Sequence, residues 1–319
     1  MQPSFICIGF QKCGTTTLWD IMRQHSGIVL TQDVKEPMYY RVKGLRTIGG
    51  KKWYERRYFG NVSESDPRMP GEVNAGLTFG NAPKKIAKDF SKDTKFIFMM
   101  RNPVDRSYSA YKYFLALGFL PMHIMRYDAK HGHAEGFDHY VHYVLDDENR
   151  RAKILKRQLP YLVFSQSMYQ WQIEQYTKNF PIENMHFVIF EEFIKDQEAA
   201  CKEIYSFLGL PEDPNIQYGI TSNEGVSRPA SPLLGKIGMF SKGRNYVTHE
   251  FFNLPKYWPW LDKKWVALYE FVQKKCVVPD ADRSKMLDRT RFVLEDFYRE
   301  QKKSVERIIH HSLDDVWYN

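Results

Sequence analysis

Cysteine is scarce. Only Cys7, Cys13, Cys201 and Cys276 occur in 319 residues, and no two form a CxxC pair. That spacing excludes a disulfide framework and offers no zinc site, so a reducing compartment fits best and Cys13 reads as a free thiol. Long apolar runs are missing too. No stretch approaches the roughly 20 residues needed to cross a bilayer. The N-terminus lacks the basic leader and apolar run of a signal peptide, because "FICIGF" is too short and runs straight into a loop. Internal repeats, low-complexity tracts and flexible linkers are also absent. Blocks of like charge are not found either: "KKWYERR" and "KKIAKDFSKDTK" interleave acids with bases. The net charge of +8 therefore reads as a mixed-charge surface with one anion site, and not as a track for nucleic acid.

What is present is enough for a packed core, since 43% of residues are hydrophobic and 15% aromatic. Length allows one large α/β domain or two modest ones. "SFICIGF", "GIVLT", "KFIFMMR" and "MHFVIFEEF" read as buried strands. Between them "TTTLWDIMRQHS", "NAPKKIAKDF", "SMYQWQIEQYTKNF" and "AACKEIYSFLGL" have helical character. Strands alternating with helices predict an α/β fold, a parallel sheet flanked by helices. A long amphipathic helix is expected in "LDRTRFVLEDFYREQKKSVERII", and residues 219–260 read as ordered loops. The whole of 1–319 reads as a single domain, with additions near 115–160 and 246–285. His131, His133, His139 and His142 read as a solvated loop, with no matched carboxylates to hold a metal.

The stretch "GFQKCGTTTL" joins the first strand to the first helix. A strand, a glycine loop and a helix N-terminus make an anion site, because free backbone N–H groups and the helix dipole converge there. Gly9 and Gly14 have P-loop separation, but the Lys-Ser/Thr pair that an ATP site needs after the second glycine is missing. Lys12 instead lies inside the loop, and Thr15, Thr16 and Thr17 follow it. A lysine there neutralises a leaving phosphate without a divalent ion, which suits sulfuryl transfer from 3′-phosphoadenosine 5′-phosphosulfate (PAPS). A second motif, "RNPVDRSYSAY", puts Arg101 at a strand end and Ser109 on the following helix, a pair able to converge on one phosphate. No apolar run ends in a clear Walker-B aspartate, so a P-loop kinase is the remote alternative.

Together these motifs resemble the PAPS-dependent sulfotransferase family, closest to its heparan-sulfate N-sulfotransferase and 3-O-sulfotransferase types. "GFQKCGTT" resembles that family's 5′-phosphosulfate loop and "RNPVDRSYSAY" its 3′-phosphate motif. "SKGRNY" is similar to the late loop that closes over the nucleotide, and "KEPMYY" to the segment carrying the catalytic glutamate. "KKWYERRYF" and "FPIENMHFVIFEEF" fit the intervening pattern. The resemblance implies that Lys12, Gly14, Thr15, Thr16 and Thr17 hold the phosphosulfate. It implies that Arg101 and Ser109 hold the 3′-phosphate, that Lys242, Gly243 and Arg244 close the site, and that Glu36 is the general base. His25 is the rival base. Membrane members carry a lysine in an "EK-S/T" segment, whereas "GEVNAGLTF" here offers Glu72 and Asn74 but no lysine.

PAPS is then the co-substrate, 3′,5′-bisphosphoadenosine (PAP) the product, and no metal is expected. Trp258 and Trp260 in "YWPW" are candidates to line the acceptor pocket, because proline between tryptophans marks an ordered loop. The expected acceptor is a hydroxyl or amine of a small polar metabolite, with a heparan- or chondroitin-like glycan as the alternative. The expected location is cytoplasmic, a trimmed Golgi lumenal domain being the other reading.

Overall fold

The computed structural model describes residues 2–222 apart from 33, 42, 64, 79–80 and 157, then 227–229, 277–279, scattered positions between 258 and 267, and 282 and 284–317. In chain order the described elements are β1 (Phe5–Cys7), α1 (Thr15–Met22), β2 (Ile28–Leu30), α2 (Lys43–Phe59, broken at Gly50), β3 (Met69–Val73), α3 (Ala82–Asp89), β4 (Lys95–Met100) and α4 (Pro103–Ala116). There follow α5 (Met122–His131), α6 (His133–Leu145), α7 (Glu148–Leu155), α8 (Leu162–Ser165), α9 (Tyr169–Thr177), β5 (Met185–Ile189), α10 (Phe190–Lys195) and α11 (Gln197–Leu208). β6 (Ser227–Pro229), β7 (Val277–Pro279) and α12 (Asp288–Ile309) complete them. The chain divides into two compact units, one of 1–106, 168–222 and 299–319, the other of 107–167 and 223–298.

The first unit is built on a five-stranded sheet in the order β2-β3-β1-β4-β5. Every pairing in it is parallel. Strands of a parallel sheet are covered on both faces and so read as unbroken apolar runs. β1 and residues 96–100 of β4 accordingly have no solvent exposure. Aromatic contacts dock the helices: Tyr176 of α9 meets Phe96 and Phe98 at 5.3 and 5.4 Å between centroids. Phe207 of α11 stacks on His186 at 5.2 Å. The chain leaves β1 in one direction for β2 and β3, then crosses to β4 on the other side. Clefts form at such a switch, beyond the carboxyl ends of the strands.

All four expected strands are present, but the fourth is shorter than its sequence suggests. "FEEF" turns into α10 after Ile189. β3 is an addition to the expected set. Its sequence "MPGEV" carries proline, glycine and a charge, none typical of a central strand. Glycine is required at Gly71 because the Phe5 ring fills the space, 2.0 Å from where a Cβ would stand.

In the second unit, α5 and α6 pack as a helical pair, and β6 pairs antiparallel with β7. The histidines expected in a solvated loop lie on these helices instead. His133 is buried, its Nδ1 2.9 Å from both oxygens of Asp128, which also accepts the Tyr111 hydroxyl at 2.8 Å. His131 and His139 each pack against the Tyr127 ring, at 4.2 Å between centroids. The stretch 219–260 falls almost wholly outside the described residues.

Candidate active site

The C-terminal ends of all five parallel strands in the first unit carry the candidate residues. After β1, the chain continues alongside β4, with Ile8 N donating to Ile97 O (2.7 Å) and Phe10 N to Met99 O (3.1 Å). It then turns through two left-handed residues, Lys12 (φ 71°) and Gly14 (φ 84°). A non-glycine residue in that region costs roughly 1–2 kcal/mol, so Lys12 is held there by its surroundings. Two guanidiniums supply the hold. Arg101 donates to the carbonyl of Lys12 and the fully buried Arg106 to that of Gln11, each at 3.3 Å. The loop carbonyls are thereby fixed toward the arginines.

Gly14 is the N-cap of α1 and makes no side-chain cap, and no acidic residue stands in the first turn of the helix. Neither a side-chain cap nor an acid in the first turn therefore offsets the positive end of the helix dipole, as suits an anion site. Gly14 also touches Phe190, whose ring would lie 2.7 Å from an added Cβ. The other side of this region carries Arg101, whose guanidinium sits 4.7 Å from the Phe190 centroid. Arg101 Nε is buried without a hydrogen-bond partner. Its backbone is pinned by Tyr169, whose hydroxyl donates to Arg101 O at 2.7 Å. Next to it, Glu191 accepts from Asn102 N (2.9 Å) and from Trp317 Nε1 (3.2 Å). Burial pushes the Glu191 carboxyl above its ordinary range.

The threonines are occupied by a residue from another loop. Lys35 Nζ donates to Thr16 Oγ1 at 2.8 Å and to Thr15 Oγ1 at 3.2 Å. Thr17 is buried and its hydroxyl accepts from Ser222 N at 3.3 Å. Glu36 follows β2, is half-buried, and pairs with Lys35 (3.7 Å) and Arg41 (4.0 Å). A buried network ties its segment to the end of β3. Asn74 Nδ2 donates to Pro37 O and to Glu72 Oε1, both at 2.7 Å, and Glu72 Oε2 accepts the Tyr54 hydroxyl. Glu72 and Asn74 have no exposure.

A family model for the sulfotransferase domain matches residues 2–223. The chain belongs to the sulfotransferase domain family. That is the family its motifs resemble, and it leaves the kinase alternative without support. Human heparan sulfate glucosamine 3-O-sulfotransferase 3B1 is 25% identical over 264 residues, covering 76% of this chain and 56% of that protein. The bifunctional heparan sulfate N-deacetylase/N-sulfotransferase of Drosophila melanogaster is 22% identical over 265 residues, 76% of this chain and 23% of that one. The chain thus spans about half the length of the human relative. A sulfotransferase crystal structure from Alicyclobacillus acidocaldarius shares the fold, with a TM-score of 0.58 at 20% identity over 99% of this chain and 98% of that one.

For a sulfotransferase-family cradle, the first unit assembles Lys12, Gly14, Thr15, Thr16, Arg101 and Glu36 at one sheet edge. Ser109 is half-buried on α4, in the second unit. His25 is not brought to the loop. It is buried, its Nε2 2.9 Å from Pro211 O and its Nδ1 accepting Gly27 N at 3.0 Å, so both ring nitrogens serve the backbone. That corrects its reading as a rival base. Trp258 and Trp260 are exposed, with Lys264 over the Trp260 ring at 5.6 Å. Lys242, Gly243 and Arg244 lie outside the described residues. Cys13 is a free thiol as expected, but it is fully buried, and that burial pushes it up to about 12. Arg106, Tyr169 and Glu191 support the site, yet nothing in the sequence pattern separates them from surface or core residues. Among the described residues no group of three or more His, Cys, Asp or Glu could hold a metal, and no helix is long and apolar enough to cross a membrane.

Proposed function

We propose that the chain is a PAPS-dependent sulfotransferase acting on a hydroxyl or amine of a small polar acceptor. The observation that carries this reading is the anion cradle: an uncapped helix N-terminus, a left-handed lysine and two threonines, framed by Arg101. The chemistry of these donors fits a phosphosulfate. Backbone amides and hydroxyls suit its oxygens, and Lys12 and Arg101 supply charge. PAPS contributes an activated sulfonate and a stable bisphosphate leaving group.

The residues then divide the work. Lys12 and the loop amides neutralise charge developing on the leaving phosphate. Arg101, with Ser109 as its expected companion, holds the 3′-phosphate, and Lys242, Gly243 and Arg244 are expected to cover the nucleotide. Glu36 takes the acceptor proton as general base. The Tyr54–Glu72–Asn74 network keeps the Glu36 segment in place, because each of its buried polar groups is satisfied. The exposed Trp258 and Trp260 support a small acceptor held against aromatic faces. A heparan-like glycan is the second reading, favoured by the names of the relatives. A cytoplasmic setting is supported by the three described cysteines, all free and buried; a Golgi lumenal one is the alternative.

The test is transfer of radiolabelled sulfonate from PAPS to a panel of small amines, small alcohols and desulfated heparan chains. Labelling of small acceptors, lowered by Trp258→Ala or Trp260→Ala, is the expected result. Labelling of heparan alone, with a KM that climbs steeply with salt, overturns the acceptor reading. No labelling of any acceptor, with PAPS unbound, overturns the whole.

A further inference from the structure

Lys12 is the lysine that the loop motif singles out, and Lys35, from the segment after β2, also brings its ammonium to the loop hydroxyls. It stands 2.8 Å from Thr16 Oγ1 and 3.2 Å from Thr15 Oγ1. Its Nζ is also 3.7 Å from Glu36 Oε1, and its side chain is only 20% exposed. We propose that Lys35 is a second catalytic cation, one that contacts the sulfonate being transferred and stands between the phosphosulfate loop and the base. The inference rests on the sulfotransferase reading of this site.

Three features lead to this position. A lysine ammonium has donors only, so the two threonine oxygens that meet it must accept. Each threonine then has its own O–H left to donate, and an anion beside Lys35 meets one cation and two hydroxyl donors. Secondly, Lys35 is adjacent in sequence to Glu36, so the cation and the proposed base travel on one short segment. That segment is fixed by the Asn74 bond to Pro37 O. Thirdly, the ammonium sits where water is partly excluded, and a charge there gains more from an arriving anion than a surface lysine does. Burial lowers the proton affinity of Lys35, offset in part by the neighbouring Glu36, Cys7 and Asp20.

The transfer step balances without a proton from Lys35. The acceptor O–H or N–H gives its proton to the Glu36 carboxylate and bonds to sulfur. The bond from sulfur to the bridging oxygen breaks, and its electron pair leaves with the bisphosphate. Lys35 remains an ammonium throughout, its role being charge neutralisation on the sulfonate oxygens.

PAP lacks the sulfonate and PAPS has it, so the two ligands separate this role from support of the loop. Calorimetric titration of the wild type, Lys35→Met and Lys35→Arg with PAP and PAPS, without acceptor, is the experiment. In Lys35→Met the affinity for PAPS falls by roughly 10–100-fold, the range for losing a hydrogen bond to a charged group, while PAP affinity stays within about threefold. Lys35→Arg recovers much of the loss and keeps PAPS affinity to higher pH than the wild type, whose buried ammonium titrates earlier. An equal loss for both ligands means that Lys35 only braces the threonines, and no loss for either means that it does not reach the ligand; both results overturn the proposal. If the wild type binds neither nucleotide, the sulfotransferase reading fails, and this inference with it.

Discussion

Gly14→Ala tests whether the cradle is shaped by two simultaneous demands on one residue. The first is conformational. Gly14 has φ 84°, and a residue with a Cβ pays roughly 1–2 kcal/mol there. The second is steric. An added methyl would lie 2.7 and 2.9 Å from two Phe190 ring atoms, closer than real contacts allow. The ring cannot retreat freely, because the Arg101 guanidinium lies 4.7 Å from its centroid. Overpacking of this kind costs roughly 1–3 kcal/mol. The sum is about 2–5 kcal/mol, or a fall in Tm on the order of 5–15 °C for a unit of this size. Denaturant unfolding of Gly14→Ala, Phe190→Leu and the double variant separates the two costs. Because the smaller side chain makes room for the methyl, the double variant should be more stable than the sum of single effects predicts, by about 1 kcal/mol or more. A Gly14→Ala protein within about 0.5 kcal/mol of wild type, or strictly additive effects, would refute the reasoning.

Glu36→Gln should bind PAP normally while steady-state turnover falls by roughly 10²–10⁴, and unchanged turnover removes the base assignment. Lys12→Ala should lower turnover by roughly 10²–10³ in the same assay, the loss typical of one preorganised charge stabiliser. Glu191 has its folded-state pKa raised by burial, so its contribution to stability is complete below the ordinary carboxylate range, about 4.3, and is lost as pH rises through the raised value. The Tm advantage of wild type over Glu191→Gln should therefore shrink between pH 4 and pH 7 in thermal scans, and an advantage that grows would contradict it. Cys7, Cys13 and Cys201 are buried, with thiols pushed up to about 12. Iodoacetamide at pH 8 should leave all three unmodified in the native protein and label them after denaturation, as read by peptide mass mapping.

The parts of this site that were legible in the sequence are those whose physics is local. A parallel strand buried on both faces must be apolar, so "FICI" and "KFIFMM" announce β1 and β4. A glycine before a run of threonines announces the loop and α1. β3 was hidden because its requirements come from a neighbour: Gly71 is there for the Phe5 ring, and Glu72 is buried because Tyr54 and Asn74 satisfy it. Lys35 was hidden for a related reason. In sequence it is simply the residue before Glu36, and its contact with Thr15 and Thr16 depends on the segments after β2 and β1 meeting beyond the end of β3, which lies between those strands in the sheet. His25 misled in the opposite sense, since its place near the loop in sequence says nothing of a ring turned inward to Pro211 and Tyr205.

The central claim is that the loop after β1 cradles the 5′ end of a 3′-phosphorylated adenine nucleotide without a metal. Calorimetric titration with PAP in the presence of EDTA, set beside ATP with Mg²⁺, tests it most directly. The account predicts saturable one-site binding of PAP that EDTA does not alter, weak or no binding of ATP, and a large loss of PAP affinity in Arg101→Ala. Failure to bind PAP, or ATP binding that depends on Mg²⁺ and matches or exceeds that of PAP, would contradict it.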